Sequence, residues 1–220
     1  MQKTDMNRKE KSQQIREKII EVTRRLFIEQ GYSATTIRQI LKETGLTTGS
    51  LYHFFRNKED ILMQIASDYL EDANAMILPL LKDRPDPIVH YALIIALQLK
   101  IADNHERIAE LYLHSYGSWR VSEIICLNSA KRNKTFFEKF SPGMTDQEWY
   151  TRSLAINGII QNCIAEKLHS GKIAYDERLN VILTAAFGLF NVPQSKVKPA
   201  IDKACSLVKN RKISLYGVKL

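Results

Sequence analysis

The chain has 220 residues, of which 45% are hydrophobic and 25% charged, ordinary globular usage that argues against a disordered protein. The formal charge of +8 favours polyanionic partners, and the first sixty residues, with 12 Lys and Arg against 8 Asp and Glu, carry half of that excess. Three widely spaced cysteines, Cys126, Cys163 and Cys205, fit neither a disulfide framework nor a zinc site, so free thiols and no metal are expected.

From the N-terminus, Met1 to Lys11 is polar and lacks the apolar core of a signal peptide. Ile15, Ile19, Val22, Leu26 and Phe27 then recur at three- and four-residue steps, the stripe of an amphipathic helix, which Gly31 can end in a left-handed conformation. Thr36, with Gln39 three residues on, forms a capping box for a second, short helix that turns Ile37, Ile40 and Leu41 inward and stops at Gly45. Thr47 caps a third helix, with Leu51, Phe54 and Phe55 on one side and Gly49, Tyr52 and His53 on the other. Asn57 caps a fourth, whose first turn carries Glu59 and Asp60 where the helix dipole favours acids. Ile61, Leu62, Ile65, Tyr69 and Ala73 extend it toward Leu81, and the sequence Asp83-Arg84-Pro85-Asp86-Pro87 breaks it. Further helices are expected near 87–102, 104–116, 119–140, 145–169, 176–191 and 195–209, with a capping box at Thr145 and Glu148. The longest uncharged run, Leu179 to Ser195, is too short and too polar to span a membrane. No strand alternation is evident, and the last dozen residues form a basic tail expected to be loosely held.

Two short helices joined at Gly45-Leu46 make a helix-turn-helix, a unit whose second helix can lie in a DNA major groove. That helix opens with the small residues Thr48, Gly49 and Ser50, which let its backbone approach base edges, while Lys58 sits at the next helix start, where a cation and free amides favour a phosphate. The stretches Gly31-Tyr32-Ser33-Ala34-Thr35-Thr36-Ile37-Arg38-Gln39-Ile40 and Thr44-Gly45-Leu46-Thr47-Thr48-Gly49-Ser50-Leu51-Tyr52-His53-Phe54-Phe55-Arg56-Asn57-Lys58-Glu59-Asp60-Ile61-Leu62 closely resemble the DNA-binding domain of the tetracycline-repressor family. The resemblance covers residues 12 to 62. It implies an all-α fold: a three-helix helix-turn-helix DNA-binding domain (12–62), a helical ligand-binding and dimerisation domain (63–209) and a basic tail (210–220). It further implies that Thr36, Thr47, Tyr52, His53 and Lys58 hold phosphates and that Thr48, Gly49 and Ser50 approach bases. Arg38, on an exposed face, is a further candidate for phosphate.

In the C-terminal part, the helix near 176–191 has a second apolar face in Val181, Ala185, Gly188 and Val192, and the helix near 145–169 a small-residue stripe of Ala155, Gly158, Asn162 and Ala165. These two helices are expected to pair with their copies across a two-fold axis, as the resemblance implies, giving a homodimer. His90, Tyr91, Gln98, Tyr112, Tyr116, Trp119, Asn128 and Asn157 are polar-tipped groups within apolar helices, candidates for a small-molecule pocket. The expectation is thus a cytoplasmic, dimeric transcriptional repressor of this family that binds palindromic double-stranded DNA, without cofactor or membrane partner, and is released by a small-molecule effector. An adaptor that docks another protein is the alternative, marked by an exposed apolar patch rather than a cavity. Enzyme motifs are absent: no phosphate-binding glycine loop, nucleophile elbow or metal-binding His-Glu helix occurs.

Overall fold

A computed structural model describes residues 2–81, 86–209, 214–215 and 218–219. Ten α-helices account for nearly all of them: α1 (Gln2–Gln30), α2 (Ile37–Thr44), α3 (Thr48–Phe54), α4 (Lys58–Ile77), α5 (Pro87–Asn104), α6 (Glu106–Gly117), α7 (Trp119–Phe137), α8 (Asp146–His169), α9 (Tyr175–Leu189) and α10 (Gln194–Lys209). Short 3-10 turns follow α4 and α7. Residues 83–85 of the expected break lie outside the described residues, whereas Asp86 and Pro87 lie within: Asp86 caps α5 and Pro87 takes its first turn, where a missing N–H is harmless. Most of the expected basic tail is likewise outside. In its described part β1 (Ser214–Leu215) and β2 (Val218–Lys219) pair antiparallel, a two-residue ribbon beside an all-α fold. Pairing over two residues is too brief to leave a sequence alternation.

The first four helices close a small core around Ile19, Phe27, Ile40, Leu51 and Ile61, all with no exposed surface. Gly31 ends α1 at φ 90° and Gly45 ends α2 at φ 68°, the left-handed backbone that Cβ disfavours. Between α2 and α3 the chain turns on that glycine alone, and Leu46 packs partly buried against the core. The Thr36–Gln39 capping box forms in full, as does that of Thr145 and Glu148 at α8. Each ties down two amides that a helix start leaves free.

A larger core holds the remaining helices together, and its axis is α5, buried without interruption from Ile88 to Leu99. A helix apolar all round must be covered all round, and α4 and α6 to α10 do this. At one end Tyr91, Phe137, Phe187, Phe190 and Trp149 interlock, with Phe137 stacked on Phe190 at 4.9 Å. At the other, the buried Arg178 guanidinium grips Asp103 bidentately at 2.6 and 3.0 Å, tying α9 to the end of α5. The two faces expected of α9 differ in their cover within one chain. Leu179, Ile182, Leu183, Ala186 and Phe190 face inward, but on the second face only Val192 is buried, while Val181 is 50% exposed and Gly188 open. Among the described residues of one chain that face is only partly covered.

Candidate nucleic-acid interface and internal cavity

The helix-turn-helix presents its candidate residues outward. Thr36, Arg38, Thr47, Thr48, Gly49, Tyr52 and His53 are exposed and Ser50 is half-buried, with Tyr52 at 47%. Neither α2 nor α3 has an acid in its first turn, so no carboxylate offsets the positive ends of the two helices. Three hydroxyls on this face are already engaged, those of Thr47 and Ser50 with each other at 3.0 Å. Thr36 Oγ1 donates to Gln39 Oε1 at 2.9 Å, and Thr47 Oγ1 accepts from the Ser50 amide at 3.3 Å. The Thr36 and Thr47 oxygens are helix caps before they are anything else. Phe54 is half-buried behind this surface with the His53 ring edge-on at 5.0 Å.

Lys58 departs from the expectation of a cation left free for phosphate. Its ammonium donates to the Tyr32 and Thr35 carbonyls at 2.6 and 2.8 Å and lies 4.1 Å from the centre of the Tyr32 ring. Burial lowers its pKa from the ordinary lysine value. Two of its three N–H donors therefore pin α4 to the turn between α1 and α2, leaving one for a phosphate. Two basic residues ahead of the expected boundary at residue 12 lie beside this face. Arg8 and Lys11, exposed on α1, border one shallow groove with Gly49, Ser50 and His53 of α3. The basic residues that cluster ahead of position 12 were the available signal.

A cavity of about 70 Å³ lies deeper, where the two cores meet. Its walls come from α1 (Arg24, Ile28), α4 (Leu62, Ile65, Ala66, Tyr69), α5 (Tyr91, Ile95, Gln98), α6, α7 and α8. Of the expected pocket residues, Tyr91, Gln98, Tyr112, Tyr116 and Asn157 line it, and the Tyr112 hydroxyl donates to that of Tyr116 at 3.2 Å. His90, Asn128 and Trp119 do not. His90 is buried elsewhere, bonded to Asn74 at 2.7 Å with its ring against Phe136, and Asn128 is half-buried off the wall. Trp119, next to the Ser118 cap in the first turn of α7, is 66% exposed.

The wall also holds polar residues outside the expected set: Arg24, Tyr69 and Ser115, and on α7 Ser129, Arg132 and Asn133. Arg132 Nε and Asn133 Oδ1 are buried with no hydrogen-bond partner. Desolvation lowers the pKa of Arg132, although the nearby Tyr91, Tyr116 and Tyr112 act the other way. Burial pushes the Tyr91 phenol up to about 12 and those of Tyr112 and Tyr116 upward as well, so all three stay neutral at physiological pH.

The junction of α6 and α7 joins this cavity to the helix-turn-helix. Tyr116 lines the cavity; two residues on, the Ser118 hydroxyl donates to the Glu59 carboxylate, and Arg120 bonds Asp60 at 2.7 Å. One turn earlier the His114 ring lies 5.1 Å from that of Tyr32, the residue Lys58 grips. Burial would raise the Asp60 pKa, but hydrogen bonds from the Arg56 side chain and amide, with the charges of Arg120 and Arg56, hold it below the usual aspartate value.

The remaining candidates form a surface. Ala155, Asn162, Val181 and Gly188 are exposed, and Gly158, Ala165 and Ala185 half-buried, on the adjoining helices α8 and α9. A Cβ added at Gly158 or Gly188 would meet no atom within 4 Å. Leu154, 37% exposed, extends this apolar area. Among the described residues no group of His, Cys, Asp and Glu could hold a metal ion, the three cysteines are unpaired, and no helix is long and apolar enough to cross a membrane.

Comparison with known proteins places this geometry in context. Residues 19–65 match the family profile described as bacterial regulatory proteins, tetR family. The chain is 31% identical over 157 residues to the uncharacterized HTH-type transcriptional regulator YxaF of Bacillus subtilis, which covers 68% of this chain and 82% of that protein. Similarity to the HTH-type transcriptional regulator AcrR of Shigella flexneri is 30% over 131 residues, 57% of this chain and 59% of that one. Among solved structures, RolR in complex with resorcinol shares the fold with a TM-score of 0.62 at 16% identity, over 94% of this chain and 98% of that one.

Proposed function

Because the chain belongs to the TetR family of bacterial regulatory proteins, we propose that it is a repressor that binds a palindromic operator as a homodimer and releases it when a small molecule fills the cavity. Residues 12–62 are the DNA-binding domain in this reading, with Thr48, Gly49 and Ser50 at the bases and Thr36, Arg38, Thr47, Tyr52, His53 and Lys58 at phosphates. Residues 63–209 bind the effector and dimerise through the open faces of α8 and α9. The two recognition helices of a dimer then sit about 34–36 Å apart, one DNA turn, or a little more.

The observation that carries the reading is the cavity's position. Leu62 and Ile65 belong to the helix-turn-helix core and also line the cavity. A ligand that needs more room than about 70 Å³ presses on walls that include α1 and α4, and a shift of either moves α3 relative to its copy. Ligand and operator thereby favour different arrangements of the same molecule, a coupling of about 1–3 kcal/mol in typical cases, or 5- to 150-fold in affinity. The cavity favours gating by a metabolite over the adaptor alternative, and the exposed small and apolar residues of α8 and α9 leave room for self-pairing. Selection of DNA sites from a random duplex pool by the purified chain tests the proposal. A two-fold symmetric consensus supports it, and recovery of no common sequence would refute operator recognition.

A further inference from the structure

We propose that the effector is a small organic acid whose carboxylate pairs with Arg132 inside the cavity. This inference rests on the effector-gated reading above and names the chemistry of its ligand.

The cavity wall contains two arginines, Arg24 and Arg132, and no aspartate or glutamate. Asp68 faces Arg24 from outside the wall at 3.7 Å. No carboxylate pairs with Arg132 among the described residues, and its Nε is buried without a hydrogen-bond partner. The groups that act on its charge are the phenols of Tyr91, Tyr116 and Tyr112. Those phenols are held neutral by burial and cannot serve as counterions. A guanidinium does not give up its proton, so on this half-buried side chain the charge stays and faces whatever enters the cavity. Its planar fork matches a carboxylate bidentately, whereas a neutral amide can satisfy only part of it.

A second group points the same way. Asn133 donates through Nδ2 to Ser153 at 2.8 Å but leaves Oδ1 buried with no donor. An acid that also carries a hydroxyl would satisfy both neighbours on α7. Size sets a further bound. One water needs about 10–15 Å³ of such space, so about 70 Å³ admits an acid of a few heavy atoms as the cavity stands. Larger acids press on walls that include α1 and α4, whose shift gating requires.

The test uses the full chain and a series of carboxylic acids, acetate to naphthoate with and without a hydroxyl group, each beside its primary amide. Calorimetry and thermal shift give the affinities. Acids are expected to bind at least tenfold more tightly than their amides, and Arg132→Met to abolish that preference while Arg132→Lys retains part of it. With no ligand present, Arg132→Met should melt no lower than the parent, and up to about 4 °C higher, because a half-buried guanidinium with no carboxylate partner and an unbonded Nε has been replaced by a thioether. Equal binding of acids and amides, no binding by any acid, or a large loss of stability in Arg132→Met each overturn the inference. If acids bind with the expected preference but leave operator binding unchanged, the ligand class stands and the gating reading falls. If amides release the operator as well as acids do, gating stands and the acid falls.

Discussion

Lys58→Met separates a structural clamp from a phosphate contact, because methionine keeps most of the lysine stem and removes the ammonium. In the folded chain that ammonium holds the Tyr32 and Thr35 carbonyls at 2.6 and 2.8 Å and lies over the Tyr32 ring at 4.1 Å. Hydrogen bonds to a charged group are worth about 1.5–3 kcal/mol when dry, and partial exposure reduces each here to about 0.5–1 kcal/mol. The ring contact adds about 0.5 kcal/mol. The variant should therefore lose about 2 kcal/mol of stability, a fall in melting temperature of about 4–8 °C for a chain of this size. Urea denaturation should show a lower midpoint with an unchanged slope, the mark of lost stability without a change in compactness. The loss occurs with no DNA present, which a residue serving only phosphate would not produce. On operator DNA the remaining N–H makes a second contribution: the slope of log affinity against log salt should become shallower by about 0.9 per subunit. A variant that melts within a degree of the parent refutes the clamp.

Three further outcomes follow from the geometry. Tyr52→Phe removes one exposed hydroxyl and should leave stability unchanged within about 0.5 kcal/mol while weakening operator binding about tenfold per subunit; equal affinity in an anisotropy titration would remove Tyr52 from the interface. Gly188→Leu, at a position where an added Cβ meets no described atom within 4 Å, should yield a folded monomer by sedimentation, and a dimer of unchanged affinity would exclude the α8–α9 face. Asp60, 9% exposed and held below the usual aspartate pKa, stabilises the fold above the pKa of the unfolded chain and loses that contribution as pH falls through its lower folded value. Thermal melts between about pH 5 and 2 should accordingly lose less stability on acidification in Asp60→Asn than in the parent, and parallel curves would contradict the Arg56–Asp60–Arg120 contacts.

Local signals made the helix-turn-helix legible. Thr36, Gly45, Thr47 and Asn57 act within four residues of themselves, and each ends or starts a helix where its chemistry dictates. Lys58 was not legible in the same way: its partners Tyr32 and Thr35 stand 26 and 23 residues back, and a lysine at a helix start gives no hint of them. The pocket shows the same limit. Tyr91, Gln98, Tyr112, Tyr116 and Asn157 line the cavity, whereas His90, one residue before Tyr91, turns instead to Asn74. Polarity within an apolar helix identifies a residue that needs a partner, but not the direction in which it finds one. Arg132 was overlooked because a charge is ordinarily read as solvated, and only the packing of α5, α6 and α7 around it encloses this one. The open face of α9 was foreseen as a face, though only the fold showed that α5 and not α9 is the helix covered on all sides.

The central claim is that α3 enters the major groove twice on one face of a duplex. Methylation interference on the selected operator tests it directly, because dimethyl sulfate marks guanine N7 in the major groove and adenine N3 in the minor groove. The account predicts two clusters of interfering guanine N7 sites related by two-fold symmetry, with centres about one helical turn apart or slightly more. Interference confined to adenine N3, or a single unsymmetrical cluster, would contradict it.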